Sequence, residues 1–330
     1  MMFRVNCSGP ICKTDRRSRR CQRSYCYSNS WLLRMHRLST TFYPTLRNLA
    51  QKHLPRTVAL YNLMTYEMNV ERSNACDNPL LLFADSWPEP NIVLLEEHSF
   101  YNGVKDYPSF YAFPIARKIP RKSIASISEA FFLPSFHTYG EFLLYHLPVE
   151  DVPTLNSLLR QSETATVSME SESITDLFWI SPEYNQLLTQ LDLSLPNNFV
   201  LSELHPHEAE FVDSFWPYRY DGSVDLIRRV IERRPNVCVR TGEGNLVGWA
   251  MVNDKMSDEM HLYTLSQFRQ QKVATLIEVV LAKKIIGENC IPYKCVVPQN
   301  RTAAKFTSKS DLWKSMDMSI DWLRVLRDGK

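Results

Sequence analysis

The sequence predicts a mixed α/β fold, α+β in part of its strand order, with a mixed sheet flanked by helices and a chain folded as two units. Three observations point there. At 330 residues the chain is long enough for two domains of ordinary size. Glu259–Lys284 reads as a strand, a basic turn and an amphipathic helix in immediate succession. Asn236–Arg240 and Leu246–Asn253 read as strands joined across Thr241-Gly242-Glu243-Gly244-Asn245, a hairpin signal.

Composition bounds the partners. With 44% hydrophobic and 22% charged residues, the chain can bury a sizeable core. Its aliphatic clusters, such as Ile92–Leu95, are strand-sized, so no membrane span is expected. The net charge of +2 conceals an asymmetry: the first 40 residues carry +8, which leaves −6 on the other 290. An acidic body lacks the basic footprint that phosphate backbones need, which argues against nucleic acid as main partner. The eight cysteines lack the spacing of a secreted framework. Cys238 and Cys295 sit in apolar strand-like runs, so reduced core thiols are expected.

Residues 1–43 form the first segment, rich in Arg, Ser and Cys and nearly free of acid. That composition fits a disordered organelle leader, and no apolar run argues for secretion. Cys7, Cys12, Cys21 and Cys26 could in principle ligate zinc, but their spacing is loose and no His falls in register, so no metal is expected. Met35 offers a second start.

Residues 44–195 form the first unit. Leu46, Leu49, Ala50 and Leu54 follow a helical period that Pro55 ends. Val58–Tyr66 alternates as a strand would, and Asn91–Leu95 is a second compact strand. Aromatic residues crowd 102–147; Ser126–Phe132 and Tyr139–His146 are a helix and a strand candidate. Ser162–Ser173 reads as a linker or surface loop, and Asp176–Ser181 and Glu183–Leu191 resume structure.

Residues 196–330 form the second unit. Leu201–Leu204 opens it as a strand, followed by a helix over His207–Trp216 whose entry explains His205 and His207 better than a metal does. Ser223–Arg234 is a helix whose arginines Arg228, Arg229, Arg233 and Arg234 are expected mostly to face water. After the hairpin, Met260–Leu265 is a strand, and from Val273 apolar residues recur at three- and four-residue steps, with Glu278 on the polar side and Gly287 as the stop. Tyr293–Val297 is a strand, Arg301–Ser310 a helix capped by Asn300, and Trp313–Leu326 supplies the last strand or strands.

The chemistry concentrates at Arg269-Gln270-Gln271-Lys272. A turn that opens a helix offers unpaired N–H groups and the positive end of the helix dipole, and here two cationic side chains join them, so an anion site is expected. The pattern R-x-x-K-x-A at Arg269–Ala274 resembles the acyl-CoA pyrophosphate loop of GNAT-fold acyltransferases, written (Q/R)-x-x-G-x-(G/A). Tyr263-Thr264-Leu265-Ser266-Gln267-Phe268-Arg269 resembles the Y-T-L-P-E-Y-R run of glycine N-acyltransferases in particular. LPRTVALYNLM and FADSWPEPNIVLL resemble the runs that open that family, and VVPQNRTAAKF its second motif, in which the Asn lies beside the pantetheine arm. One position departs: Lys272 stands where most members have glycine, which lets the backbone approach phosphate without a Cβ. The tyrosine that many GNAT enzymes use as proton donor is replaced by Thr307.

The resemblance implies a GNAT-type mixed sheet with a degenerate GNAT-like N-terminal half, acyl-CoA as co-substrate, a small amine such as glycine as acceptor, no metal, a monomer, and a mitochondrial location with the cytoplasm as alternative. It implies that Leu262, Tyr263, Thr264 and Leu265 hold the acyl arm while Arg269, Gln270, Gln271, Lys272, Val273, Ala274 and Asn300 hold the coenzyme. The family's general base is a Glu six residues before the motif Thr; counting back from Thr264 reaches Asp258, with Glu259 adjacent, and opposite pleat directions let only one of them face the site. His261 is a further base candidate. The rival reading is a non-catalytic acyl-CoA-binding or interaction protein of the same fold.

Overall fold

The computed structural model describes residues 35–72, 80–101, 104–130, 140–161, 167–191, 194–195, 198–253 and 255–327. The four N-terminal cysteines and most of the leader lie outside these residues. The first unit runs β1 (His36–Leu38), α1 (Tyr43–Lys52), α2 (Val58–Arg72), β2 (Leu81–Ala84), β3 (Ile92–Tyr101), β4 (Val104–Pro114), α3 (Arg121–Ala130), β5 (Glu141–Pro148), α4 (Val152–Arg160) and β6 (Val167–Trp179). A short α5 (Asn185–Gln190) follows. The second unit repeats the order: β7 (Phe199–Ser202), α6 (Ala209–Ser214), α7 (Ser223–Arg233), β8 (Asn236–Thr241), β9 (Leu246–Val252), β10 (Asp258–Thr264), α8 (Val273–Gly287), β11 (Tyr293–Val296), α9 (Arg301–Ser308) and β12 (Lys314–Arg327).

Among the described residues all twelve strands share one sheet, ordered β1-β2-β3-β4-β5-β12-β6-β11-β10-β9-β8-β7. The order is symmetric about its centre. Only β4–β5 and β10–β11 are parallel, one such pair in each unit. The units exchange their last strands: β12 lies beside β5, and β6 lies beside β11, while the two pair antiparallel with each other along most of their length. Neither unit can leave without opening the sheet.

Alternate residues of each strand serve opposite layers. Val93 and Leu95 pack with α1 and α2, Ile92 and Leu94 with α3 and α4. In the second unit Cys238, Trp249 and Met251 pack with α6 and α7, whereas Val237, Val239 and Val252 pack with α8. Gly248 is required on β9, since a Cβ there would come within 2.8 Å of the Tyr263 carbonyl oxygen and 3.3 Å of Ile277. Cys238, Cys290 and Cys295 are free thiols, as the sequence leads one to expect. No described helix is long and apolar enough to cross a membrane.

Several expectations are corrected. Val58–Tyr66 is helix, not strand, because α2 is buried nearly all round: Val58, Leu60, Asn62, Leu63, Met64 and Thr65 are all enclosed, so apolar alternation carries no period. Of the expected linker, residues 167–173 belong to β6, a polar strand held by backbone pairing to β12 and by Ser171 Oγ donating to Asp321 (2.7 Å). The other part of that linker, like Phe131 and Phe132, lies outside the described residues. Trp313–Leu326 supplies a single strand. Arg234 does not face water: it is buried against the Tyr66 ring (4.2 Å) and paired with Glu288 (3.3 Å). Glu278 is buried too, drawn in by Lys294.

The units are also tied across the sheet face. Asn62 of α2, fully buried, donates through Nδ2 to the carbonyls of Met256 (3.1 Å) and Ile291 (2.8 Å), and its Oδ1 accepts from the Ile291 N–H (2.8 Å). Replacing it strands three backbone groups. Asn62→Ala is expected to lower the unfolding free energy by roughly 2–4 kcal/mol, since each unmet buried group costs about 1–3. Urea unfolding followed by circular dichroism measures this; a loss below about 0.5 kcal/mol would mean that water replaces the amide.

Candidate functional site

The site is built on an irregularity in β10. Glu259 and Met260 pair with Val252 and Met251 of β9, but Tyr263 and Thr264 pair with Trp249 and Gly248, so His261 and Leu262 together oppose Ala250. That is a β-bulge, and His261 takes φ +61°, uncommon for a residue with a Cβ. On the other edge, parallel pairing with β11 covers only Asp258–Tyr293 and Glu259–Lys294. Past Glu259 the two strands part. The counterpart β4 is interrupted elsewhere: its ladder with β3 is unbroken from Tyr107 to Pro114, and its register shift lies at the start of the strand, between the Tyr101–Val104 and Ser99–Tyr107 pairs.

Beyond β10 a single 3-10 turn, Ser266–Phe268, leads into Arg269, whose Nε donates to the Thr264 carbonyl (3.0 Å) and whose guanidinium lies 5.6 Å from the Tyr263 ring centre. Gln270 and Lys272 adopt φ +64° and +61°. Lys272 therefore holds the left-handed conformation that suits glycine, with its side chain exposed. No side chain caps α8, and its first bond runs from the Leu276 N–H to the Lys272 carbonyl (3.1 Å). The N–H groups of Val273, Ala274 and Thr275 have no intrahelical acceptor. Helices α8 and α9 follow adjacent parallel strands, so both N-termini open at the same sheet edge, where anions are held best. Asn300 caps α9, its Oδ1 accepting from the Ala303 N–H (3.2 Å).

The structure separates the three base candidates. Asp258 shares a face with Tyr293, whose hydroxyl donates to Oδ1 at 3.5 Å; burial pushes its carboxyl up to about 6. Tyr111 of the first unit, stacked on Tyr145 at 4.8 Å, lies close enough to feel its charge. Glu259 points to the opposite face, beneath α8, where burial and then neighbouring Glu278 hold its carboxyl well above the ordinary range. There Lys294 pairs with Glu278 and sits 4.1 Å from the Trp313 ring centre. His261 lies beside Trp216 (5.6 Å) and accepts at Nδ1 from the Trp249 indole N–H (3.3 Å); burial lowers its pKa to about 4.

Leu262 packs with the α8 layer and Tyr263 with the α6–α7 layer, while Thr264 and Leu265 close the strand. A cleft of about 500 Å3, lined in part by Phe211, Leu246, Leu265, Gln267 and Phe268, opens at that end. Among the described residues no cluster of His, Cys, Asp and Glu could hold a metal ion. Sequence reading missed Trp249, Tyr293, Glu278 and Lys294. Trp249 and Tyr293 read as strand hydrophobes and Glu278 as a solvated helix residue; no spacing links them to His261, Asp258 or Glu259.

A pH-dependent stability difference follows for Asp258. Its folded pKa lies above its unfolded one, so the stability it contributes is fully present below about 4 and lost as pH rises to about 6. Asp258→Asn is expected to gain on the wild type across that window and to hold a constant advantage above it. Denaturant midpoints at a series of pH values measure this; parallel curves would contradict a strained carboxylate.

No family model matches the chain. Bovine (Bos taurus) glycine N-acyltransferase is 21% identical over 294 residues, covering 84% of this chain and 93% of that protein. A Drosophila protein of known structure superposes with a TM-score of 0.71 at 13% identity, covering 89% of this chain and 98% of its own. A tandem GNAT protein from the clavulanic acid biosynthesis pathway gives 0.53 at 11% identity, covering 90% and 98%. The duplicated strand order and the mixed sheet agree with these likenesses: the chain has a GNAT-type fold and is similar to glycine N-acyltransferase over most of its length.

Proposed function

We propose that this protein transfers an acyl group from acyl-CoA to the amine of glycine or another small amine, by direct attack and without an acyl-enzyme. The observation that carries this reading is the gap between β10 and β11 beyond Glu259, beside an uncapped helix whose opening residue takes a glycine-like conformation. Arg269, Gln270, Gln271, Lys272, Val273 and Ala274 would hold the diphosphate, by N–H groups and charge, while Asn300 and the start of α9 flank the pantetheine arm. Backbone groups of Leu262–Leu265 left unpaired by the gap would meet the thioester.

Of the two carboxylates, Asp258 suits the base. With a pKa of about 6 it is mostly ionised at neutral pH yet close enough to take a proton, whereas Glu259 is engaged with Glu278 and Lys294. Asp258 removes the ammonium proton, the free amine attacks the carbonyl carbon, the C–S bond breaks, and the sulfur takes the proton that the nitrogen gives up on forming the amide, so the coenzyme leaves as thiol. The reading extends to two GNAT-like units at 44–195 and 196–330, a monomer, and a mitochondrial location with the cytoplasm as alternative; the second unit carries the chemistry.

Release of free CoA from a short-chain acyl-CoA, scanned over small amines including glycine, tests the reaction. Turnover is expected with at least one acceptor, with kcat/KM rising through about pH 6 and then level. Asp258→Asn should lower it roughly 10²–10⁴-fold, the usual worth of a general base. Lys272→Glu should weaken coenzyme binding at least about tenfold with unchanged melting temperature, a cost of about 1.4 kcal/mol. Binding without turnover over the whole panel would leave an acyl-CoA-binding protein instead.

A further inference from the structure

The bulge does more than open a gap. It takes His261 out of the ladder with β9 and turns its ring toward the α6–α7 layer, where Trp216 and Trp249 enclose it. The indole N–H of Trp249 can only donate, so Nδ1 of His261 must accept it, and the single proton of the neutral imidazole is left on Nε2. That atom is buried and has no hydrogen-bond partner among the described residues. A buried donor left unmet costs about 1–3 kcal/mol, and such a group beside a candidate site asks for an acceptor that arrives with a ligand.

The position of the ring narrows the acceptor. The anion turn and α8 lie on one side of the sheet, His261 projects on the other, and both stand beside the same parting of β10 from β11. An acyl arm threaded from the turn through that gap presents its carbonyl at the level of the bulge. We propose that His261 donates its Nε2–H to the carbonyl oxygen of the bound thioester, adding a side-chain donor to the backbone groups that the bulge frees. This role rests on the acyl-transfer reading above and is opposite to that of a base, because the nitrogen without a proton is already occupied by Trp249. As the amine attacks, the carbonyl oxygen gains charge and the hydrogen bond tightens; no proton passes, and the charge returns when the C–S bond breaks. Burial among aromatic rings favours the neutral ring, and the charged neighbour acting on it, Asp213 of α6, only partly opposes this.

The ring can be read directly. In protein labelled with 15N-histidine, the His261 signal, identified by its loss in His261→Gln, is expected to report the Nε2–H tautomer near neutral pH; an Nδ1–H tautomer overturns the proposal before any substrate is added. Calorimetry then establishes coenzyme binding, and its absence would remove the acyl-transfer reading and this role together, an outcome distinct from failure of the histidine's role alone. With acetyl-CoA carrying 13C at the carbonyl, the bound band is expected at lower frequency in wild type and His261→Gln, which keeps a donor at the Nε2 position, than in the shorter His261→Asn. Equal bands in wild type and the Asn variant would remove only the role of His261. In turnover, the Asn variant should lose roughly 10²–10³ in kcat with KM near wild type and the acidic limb of the pH profile kept, the scale of one lost oxyanion donor. Loss of that limb instead would make His261 the base and sink the assignment.

Discussion

The antiparallel pairing of β12 with β6 is the constraint on which the remaining architecture hangs. Each strand belongs by sequence to one unit and by its outer neighbour to the other. The exchange joins two sheets into one and sets β11 between β6 and β10. Two parallel pairs of residues suffice to seat β10, and beyond them it is free to part. Asn62 and the Arg234–Tyr66 stack then press α2 against the second unit, so that Tyr111 of the first unit stands near Asp258 of the second.

Within this frame the two faces of β10 do different work. Toward α8, Glu259, Glu278 and Lys294 set two carboxyl groups against one cation beside the last paired residues of β10 and β11, and burial and then Glu278 hold the Glu259 carboxyl well above the ordinary range. Toward α6 and α7, Asp258 and His261 are half-buried, and burial displaces both from ordinary titration in the sense that leaves Asp258 near neutrality and His261 uncharged. The first unit repeats the topology, but its β4 pairs with β3 without a break from Tyr107 to Pro114, and its register shift with a positive-φ residue falls at His146 on β5, so the two halves differ in where the ladder is interrupted.

Lys272 illustrates how a motif can depart in residue type and persist in shape. A side chain in the left-handed region costs about 1–2 kcal/mol, yet the turn keeps that conformation at Gln270 and Lys272 alike, and the lysine side chain is directed to solvent. The backbone angle that glycine favours is thus kept at a residue that also carries positive charge.

Much of the second unit was legible from residues alone. The hairpin glycines, the apolar steps from Val273 and the Asn300 cap are local signals, and the elements they imply are present where the pattern put them. The exposed basic turn before α8 was legible for the same reason, since a basic run before a helix start needs no distant partner. Val58–Tyr66 was misread because a helix enclosed on every side has no polar stripe, and β6 because its stability comes from the ladder with β12, more than a hundred residues away. Which carboxylate turns toward Tyr293, which nitrogen of His261 meets the Trp249 indole, and where β10 leaves β11 were decided only by tertiary structure. Each depends on a register or a contact between segments that sequence order keeps apart, and the physics of burial acts only once those segments meet.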